Sequence, residues 1–510
     1  MEKRHYWVLI GTALFAALWV LARAYVQAIT IDEADTYLFW AGTLWPSHWT
    51  GGSNNHVLNS VLIRLFTSLF GVSHLTVRAP AILGALIYIC ASLVLCMTLV
   101  QSVALRWAVL VCLLYNPLVL DYLVAARGYS LALAFLMWSI AIPAWCHLRQ
   151  PKIQFLPLIR VCCLCSVASA LSFAANFSFA FIDGIILLVV FAWACWACEG
   201  GVRSGRRTDL RRWGALVAAC VLPGLIVTVF LCGSVLQDRK GIELVYGATS
   251  LHETINSVVS ASLYELNPFL LNPLIFPIIQ TIQLSLLPAL LGILFVGETL
   301  LLLMHRKRLK TEKDRTWPLP VAGAVAAALV LTLMIHWLAF RRMHLLLPKD
   351  RTALYIVPLS TLVAGCVAAV PLPSRFGEFF RRLLVTALFC LGIFFLMCMR
   401  LEYFKEWKYD ANVKRVYEVI AYYNRSYGTR DVATNWQYCA SLNFYRRMSG
   451  RETFNEFIPL TSYPAGMKMY VLYYPNDEGF ITAHGLKVVY HGDLSDVVVA
   501  IDPELERAAR

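Results

Sequence analysis

The stretch "WVLIGTALFAALWVLARAYVQAITIDEADTYLFW", residues 7–40, decides how the chain is read. From about Trp7 to Ile29 it is apolar over more than the roughly 20 residues that carry a helix across a bilayer. It then runs straight into "ITIDEADTYLFW" (29–40), which sets Asp32, Glu33 and Asp35 within four residues at a membrane edge. Bilayer and mutual repulsion both penalise acids there, so they need a reason. One is local: Thr30 or Asp32 caps a short interfacial helix whose first turn favours acids. The other is chemical: the carboxylates face a ligand. The residues leave both open, and the two are compatible.

Composition supports a membrane class. The chain has 510 residues, 59% hydrophobic and 15% charged, with mean hydropathy +0.64. A soluble domain carries about a quarter charged residues. Further apolar runs at about 76–99, 106–120, 128–147, 157–174, 177–198, 214–233, 281–304, 319–339, 353–370 and 383–400 bring the total to about eleven crossings. The expected fold is a polytopic α-helical membrane protein over residues 1–401, with outside loops at 30–75 and 234–280. The basic start "MEKRH" and the basic loops 200–213, 305–316 and 373–382 fall on one side, which predicts a cytoplasmic N-terminus in a cell's inner membrane. The net charge of +13 sits mostly in such loops, so nucleic acid is not the expected partner and the bilayer is. Among the 15 cysteines only Cys439 lies beyond residue 400, so the rest read as small hydrophobes within spans, not as a disulfide framework. The proline-broken "LNPFLLNPLIFPIIQ" (266–280) is expected to be an interfacial or re-entrant piece.

From residue 402 the pattern changes. "ANVKRVYEVIAYYNRSYG" (411–428) has helical periodicity closed by Gly428, and "CASLNFYRRMSG" (439–450) reads as a second helix. "DVATNW", "MYVLYYP", "KVVYHG" and "VVVAID" read as short strands. Residues 402–510 are therefore expected to form a small extracytoplasmic α/β domain without a glycine-rich nucleotide fingerprint.

The charges on the predicted outer face carry the functional reading. "FRRMHLLLPKDR" (340–351) holds Arg341, Arg342, His344, Lys349 and Arg351 against the positive-inside bias, and Arg127 and the Arg239–Lys240 pair join them. Clustered guanidinium and ammonium groups suit a phosphate; the plainer reading is contact with lipid headgroups by snorkelling side chains. Asp32, Glu33, Asp35 and Asp121 share that face, and Asp183 lies two turns into a span, where an acid is a functional candidate. Cations can stabilise a lipid-phosphate leaving group, and a carboxylate can take the proton of an acceptor hydroxyl. A transporter or flippase of a lipid-linked sugar would share these features, but no repeat relates the two halves. A scaffold using the C-terminal part as a binding module would not need acids and bases converging on one face.

These motifs resemble the GT-C glycosyltransferases, in particular the bacterial branch of lipopolysaccharide-core galacturonosyltransferases, aminoarabinose transferases and protein O-mannosyltransferase relatives (glycosyltransferase family 39-like). The resemblance rests on "DE" after the first span, "NNHVLNSVLIRLFTSLFGVSHLTVRAPAILGAL" (54–86) with His56, Arg78 and Pro80, "ARGYSLALAF" (126–135), and "LPKDRTALYIVPL" (347–359). "NHVLN" stands where the branch often has His-Pro-Pro, and Thr352 where it often has an aromatic. The resemblance implies an inverting transfer from a polyprenyl-phosphate sugar to a lipid, glycan or protein hydroxyl. It implies Asp32 as catalytic base and Glu33 as its partner, orienting the acceptor or a metal. Arg127, Arg351, Lys349 and Arg341 are then the donor-phosphate candidates. His56, Asp121, Tyr129 and Asp35 are the substrate candidates. No cofactor is firmly implied; a divalent metal on Glu33 and His56 is the lesser reading, since a lone His lacks a second imidazole or thiolate.

Overall fold

The first apolar run forms α1 (Glu2–Val26), and the acidic stretch after it forms the single turn and a half of α2 (Ile31–Asp35). Thr30 is the cap: its hydroxyl accepts from the Glu33 N–H while Glu33 returns a bond to the Thr30 N–H, a reciprocal capping box. The chain is seen here in a computed structural model, which describes residues 2–42, 55–150, 152–198, 207–237, 246–263, 286–305, 317–450, 453–460, 462–464 and 466–507. The Arg239–Lys240 pair, the 266–280 segment and most of the basic loops at 200–213 and 305–316 lie outside the described residues.

Helices follow as α3 (Val57–Phe70), α4 (His74–Leu99), α5 (Val103–Tyr115), α6 (Pro117–Tyr122), α7 (Tyr129–Arg149), α8 (Phe155–Ala175), α9 (Ala180–Ala197), α10 (Arg207–Gln237), α11 (Leu251–Ser262), α12 (Leu287–Met304), α13 (Pro318–Met343), α14 (Ile356–Ala368) and α15 (Arg375–Met397). Ten of the described helical segments are long and apolar enough to cross a membrane, which makes this a multi-pass membrane protein. The run expected as a span at 106–120 differs. Pro117 cannot extend the preceding helix, so α5 stops at Tyr115. Asn116 then starts α6, its side chain accepting from the N–H groups of Leu118 (3.0 Å) and Val119 (3.2 Å). From Ala108 to Tyr115 every residue of α5 is buried, which is why it reads as apolar all round.

α4 packs most extensively on α7, and Gly84 makes this possible. A Cβ there would lie 2.3 Å from Ser130 Oγ and 2.6 Å from the Leu131 nitrogen. Small residues let membrane helices approach when water does not drive them together. Gly128, at φ +74° just before α7, sits tighter still, 2.1 Å from the Ala175 carbonyl for a Cβ.

Beyond Met397 come α16 (Val413–Tyr427), closed by Gly428 at φ +67°, and α17 (Trp436–Ser449). The sheet has strands β1 (Ala433–Asn435), β2 (Pro459–Leu460), β3 (Met469–Tyr473), β4 (Lys487–His491) and β5 (Val497–Ile501), in the order β2-β1-β3-β5-β4. β1 runs parallel to β2 and β3, whereas β5 is antiparallel to β3 and β4. The continuous apolar β5 is buried throughout. β2 was not expected from the sequence, being two residues long and started by a proline. One apolar cluster joins Ile420, Leu442 and Tyr445 of this part to Ile29, Ala34 and Val77 beside the membrane spans. Gly84→Ala is expected to force α4 and α7 apart and lower the unfolding midpoint of the detergent-purified protein by several degrees, whereas Gly292→Ala, with open space around it, leaves it unchanged.

Candidate functional site

Two neighbouring acids on α2 meet opposite fates. Glu33 is fully buried. Its carboxylate accepts from Arg78 Nε (2.9 Å) and Nη2 (2.7 Å), the Ala126 N–H (2.8 Å) and the Thr30 N–H (3.0 Å). Arg78 spends its other N–H groups on the carbonyls of Ala24, Gln27 and Ala28, the open C-terminal end of α1. Burial pushes the Glu33 carboxyl up, but Arg78 and the backbone donors outweigh it and hold it below the usual range. Both Glu33 oxygens are thus filled by protein donors, and a metal shared by Glu33 and His56 does not fit this geometry. Among the described residues no three His, Cys, Asp or Glu side chains form a metal-ligand group.

Asp32 instead faces the cations that the sequence placed far apart. Its Oδ2 lies 3.1 Å from Arg351 Nη1 and 3.6 Å from Arg127 Nη2. Arg127 also donates to the Asp32 carbonyl and to Thr36 Oγ1, each at 3.3 Å. Burial raises the Asp32 carboxyl, and Arg127, Arg351 and the Trp407 indole outweigh it, so Asp32 is held ionised. Asp35 has the reverse balance: burial, then repulsion from Asp32, push it up to about 6. His56 is buried with no hydrogen-bond partner on Nε2; burial and then the two arginines hold its pKa far down, so it is a neutral imidazole. Its ring lies 5.7 Å from that of Tyr129, which in turn sits 4.8 Å from Tyr122.

The remaining predicted residues separate from this cluster. Asp121 is spoken for: one oxygen pairs with buried Arg23 at 2.6 Å and the other accepts the Lys405 N–H at 2.9 Å. Lys349 is partly exposed and pairs with Glu253 at 2.8 Å. Arg341 is exposed at the end of α13 with its guanidinium over the Trp337 ring, the snorkelling arrangement and not a site contact. Asp183 is buried on α9 with neither oxygen hydrogen-bonded. Arg351 itself is aimed by its loop: Asp350 takes a positive φ of 45°, its N–H bonds to Ser257 Oγ at 2.9 Å, and its carboxylate accepts from Tyr246 at 2.9 Å.

Four site residues were missed. Glu406 pairs with Arg351 and accepts from Tyr122. Burial keeps the Glu406 carboxyl above its usual range in spite of Arg351. The Trp407 indole helps hold Asp32 ionised, and the Tyr246 ring lies 4.7 Å from the Arg351 guanidinium. The available signal was "EYFKEWKYD" (402–410), acids and aromatics just past the last span, which composition assigned to the C-terminal part. A cavity of 320 Å³ opens beside the cluster, walled by Tyr122, Tyr246, Asp350, Lys405, Glu406 and Trp407. The arrangement offers an ionised carboxylate, two guanidiniums, a competing carboxylate and an adjoining cavity.

These features define a multi-pass membrane protein with a charged pocket at one end of its spans. No family model and no curated protein sequence matches the chain. Solved structures do. The crystal structure of ArnT from Cupriavidus metallidurans bound to undecaprenyl phosphate aligns over 99% of each chain with a TM-score of 0.52 at 13% identity. The same protein in the apo state aligns over 99% of each chain with a TM-score of 0.50 at 11% identity. The chain therefore shares the fold of ArnT.

Arg78→Met leaves Glu33 buried and unpaired, which costs about 3–5 kcal/mol; it is expected to abolish recovery of folded monomer on size exclusion. For Asp35 the folded pKa lies above the ordinary value of 3.8, so its contribution to stability is greatest at low pH and is lost as pH rises through about 6. Asp35→Asn is therefore expected to raise the thermal midpoint at pH 8 and hardly change it at pH 4. Equal gains at both pH values would contradict a perturbed carboxyl.

Proposed function

We propose that the chain is a membrane glycosyltransferase that moves a sugar from a polyprenyl phosphate to an acceptor hydroxyl, with inversion, at the outer face of the membrane. The observation that carries this is Asp32 held between Arg127 and Arg351 beside a cavity. The fold that holds them is one solved elsewhere with undecaprenyl phosphate bound.

In this reading Arg351 turns from Glu406 to the donor phosphate, where a guanidinium can engage two oxygens at once. The acceptor hydroxyl attacks the anomeric carbon from the face opposite the phosphate. The new C–O bond forms as the C–O bond to phosphate breaks. Asp32 takes the hydroxyl proton, and the electron pair leaves on the phosphate, where Arg351 and Arg127 meet the developing charge. A single displacement inverts the anomeric centre. Once Arg351 is shared with phosphate, Asp32 feels less positive charge and becomes a stronger base. Glu33 serves by fixing α2, and His56 and Tyr129 line the approach as neutral groups. The outer face follows from the basic start of the chain and the side on which the basic loops fall.

The test is purified protein in detergent with an undecaprenyl-phosphate sugar and candidate acceptors. New glycoside forms there without a sealed membrane, which a flippase cannot do. Asp32→Asn is expected to lower the rate by about 10²–10⁴-fold while the protein stays folded. Arg351→Ala is expected to raise the donor KM far more than the acceptor KM. Near-normal turnover by Asp32→Asn would remove the base assignment, and equal effects of Arg351→Ala on both substrates would remove the phosphate contact.

A further inference from the structure

Arg351 serves two carboxylates from one nitrogen. Its Nη1 donates to Asp32 Oδ2 at 3.1 Å and also to Glu406 Oε1, while Glu406 Oε2 accepts from the Tyr122 hydroxyl. The two acids are not placed alike. Glu406 is a wall of the 320 Å³ cavity, and 30% of its side-chain surface is accessible. Asp32 and Arg351 keep only 15% and 14%, and neither is among the walls. An anion arriving through this cavity therefore meets a carboxylate before it meets the guanidinium behind it.

The charges around Glu406 make it dependent on Arg351. Asp32 on α2 and Asp350 in the loop after α13 both repel its ionised form. Asp121, another wall of the cavity, is paired with Arg23. The ammonium of the adjacent Lys405 bonds to the Ser260 carbonyl on α11 at 3.0 Å. The phenols that feel Glu406, those of Tyr122, Tyr129, Tyr246 and Tyr409, are uncharged near neutral pH. Burial holds the Glu406 carboxyl above its usual range even with Arg351 in place. Once Arg351 turns to another anion, burial and the like charges together favour the neutral carboxyl.

We propose that Glu406 is a proton-operated gate on the donor-phosphate position: it holds Arg351 while ionised, and yields it to a phosphodiester by taking one proton from water in the cavity. The choice of a phosphodiester rests on the transferase reading above; the gate itself needs no transfer step. One negative charge enters and one proton follows, so the net charge of the pocket does not change and no uncompensated ion is buried. The sign of the pH dependence follows. The occupied state holds the extra proton, so binding is tightest below the pKa that Glu406 has in the free protein. Above it, binding weakens by up to about tenfold per pH unit, the limit for one linked proton.

The probe is methyl undecaprenyl phosphate, a phosphodiester whose charge is constant between pH 5 and pH 8, titrated into the full chain in detergent by calorimetry. Wild-type affinity is expected to fall about tenfold or more from pH 5 to pH 8. Glu406→Gln keeps the shape and cannot ionise. It is expected to bind about tenfold more tightly than wild type at pH 8, and within about twofold of it at pH 5. Asp35, pushed up to about 6, titrates in the same range, but it is present in both proteins, so the difference between them reports Glu406. Tyr122→Phe removes a hydrogen bond that favours the ionised carboxyl, so it should move the wild-type pH midpoint upward; this variant decides the matter where Glu406→Gln fails to fold. Equal tightening by Glu406→Gln at both pH values would mean that Glu406 leaves Arg351 still ionised, and weaker binding would mean that it steadies Arg351 for the phosphate. Either result, or an unmoved midpoint in Tyr122→Phe, overturns the gate while leaving the phosphate site standing. Absence of saturable binding by both proteins at both pH values would remove the phosphate reading itself, and the gate with it.

Discussion

The buried pair of Glu33 and Arg78 is the constraint on which the site depends. A buried ion pair is a weak source of net stability, because desolvation offsets most of the attraction. Its value here is positional. All five Arg78 N–H groups are used, two on Glu33 and three on the carbonyls that end α1. The Ala126 N–H adds the segment that carries Arg127 to the same carboxylate. One guanidinium thus fixes the end of the first span, the start of α4, the short α2 and the approach to α7. Successive residues of a helix point about 100° apart. Turning Glu33 into this knot therefore turns Asp32 out of it, toward Arg351. α2 is too short to hold a fixed rotation by its own hydrogen bonds, so the knot supplies what helix propensity cannot.

The segment 403–410 does the same work from the other end of the chain. The Tyr403 carbonyl accepts from Arg23 at 3.1 Å, and the Phe404 ring lies 5.3 Å from both the Arg23 and the Arg78 guanidinium. Lys405 reaches Asp121 through its N–H, Glu406 takes Arg351, and Trp407 helps hold Asp32 ionised. Asp410 accepts from the first N–H of α2 at 2.8 Å and from Ser441 of α17 at 3.3 Å. Burial holds its carboxyl well above the usual range. This short strap thus touches the acid, the arginine and the C-terminal helices together.

What the sequence revealed and what it hid follow one division. Local signals were readable: the spans by length, the cap at Thr30, the turn at Gly428, the short apolar strands. The meeting of Asp32 with Arg351 was also anticipated, because both fall at the ends of spans on one predicted side. Hidden were the pairings made across long chain separations inside that end of the bundle. Nothing local distinguishes Glu33 from Asp32, yet only Glu33 meets Arg78, 45 residues away. Asp121 looked like a free acid until Arg23, 98 residues earlier, turned out to neutralise it. Arg341 and Arg351 share one basic run, but Arg341 still belongs to α13 while Arg351 sits in the folded-back loop after it. Glu406 escaped because an acid past the last span reads as ordinary solvated charge.

The charge arrangement also explains why such a pocket survives folding. Two guanidiniums, Arg127 and Arg351, face two carboxylates, Asp32 and Glu406, in a partly buried space. Pairing of this kind offsets the cost of removing each ion from water. Asp35 adds a third carboxylate with no cation of its own within ion-pair distance among the described residues, and burial and then repulsion from Asp32 raise its pKa. A phosphate entering this space brings negative charge to cations that Asp32 and Glu406 already balance. Under the proposed reaction it must replace a carboxylate, and the two are not equally replaceable. Asp32 is anchored through its backbone to α2 and the Glu33 knot, whereas Glu406 stands on a strap between two structured parts. The exchange therefore falls on Glu406, leaving Asp32 in place to take the proton.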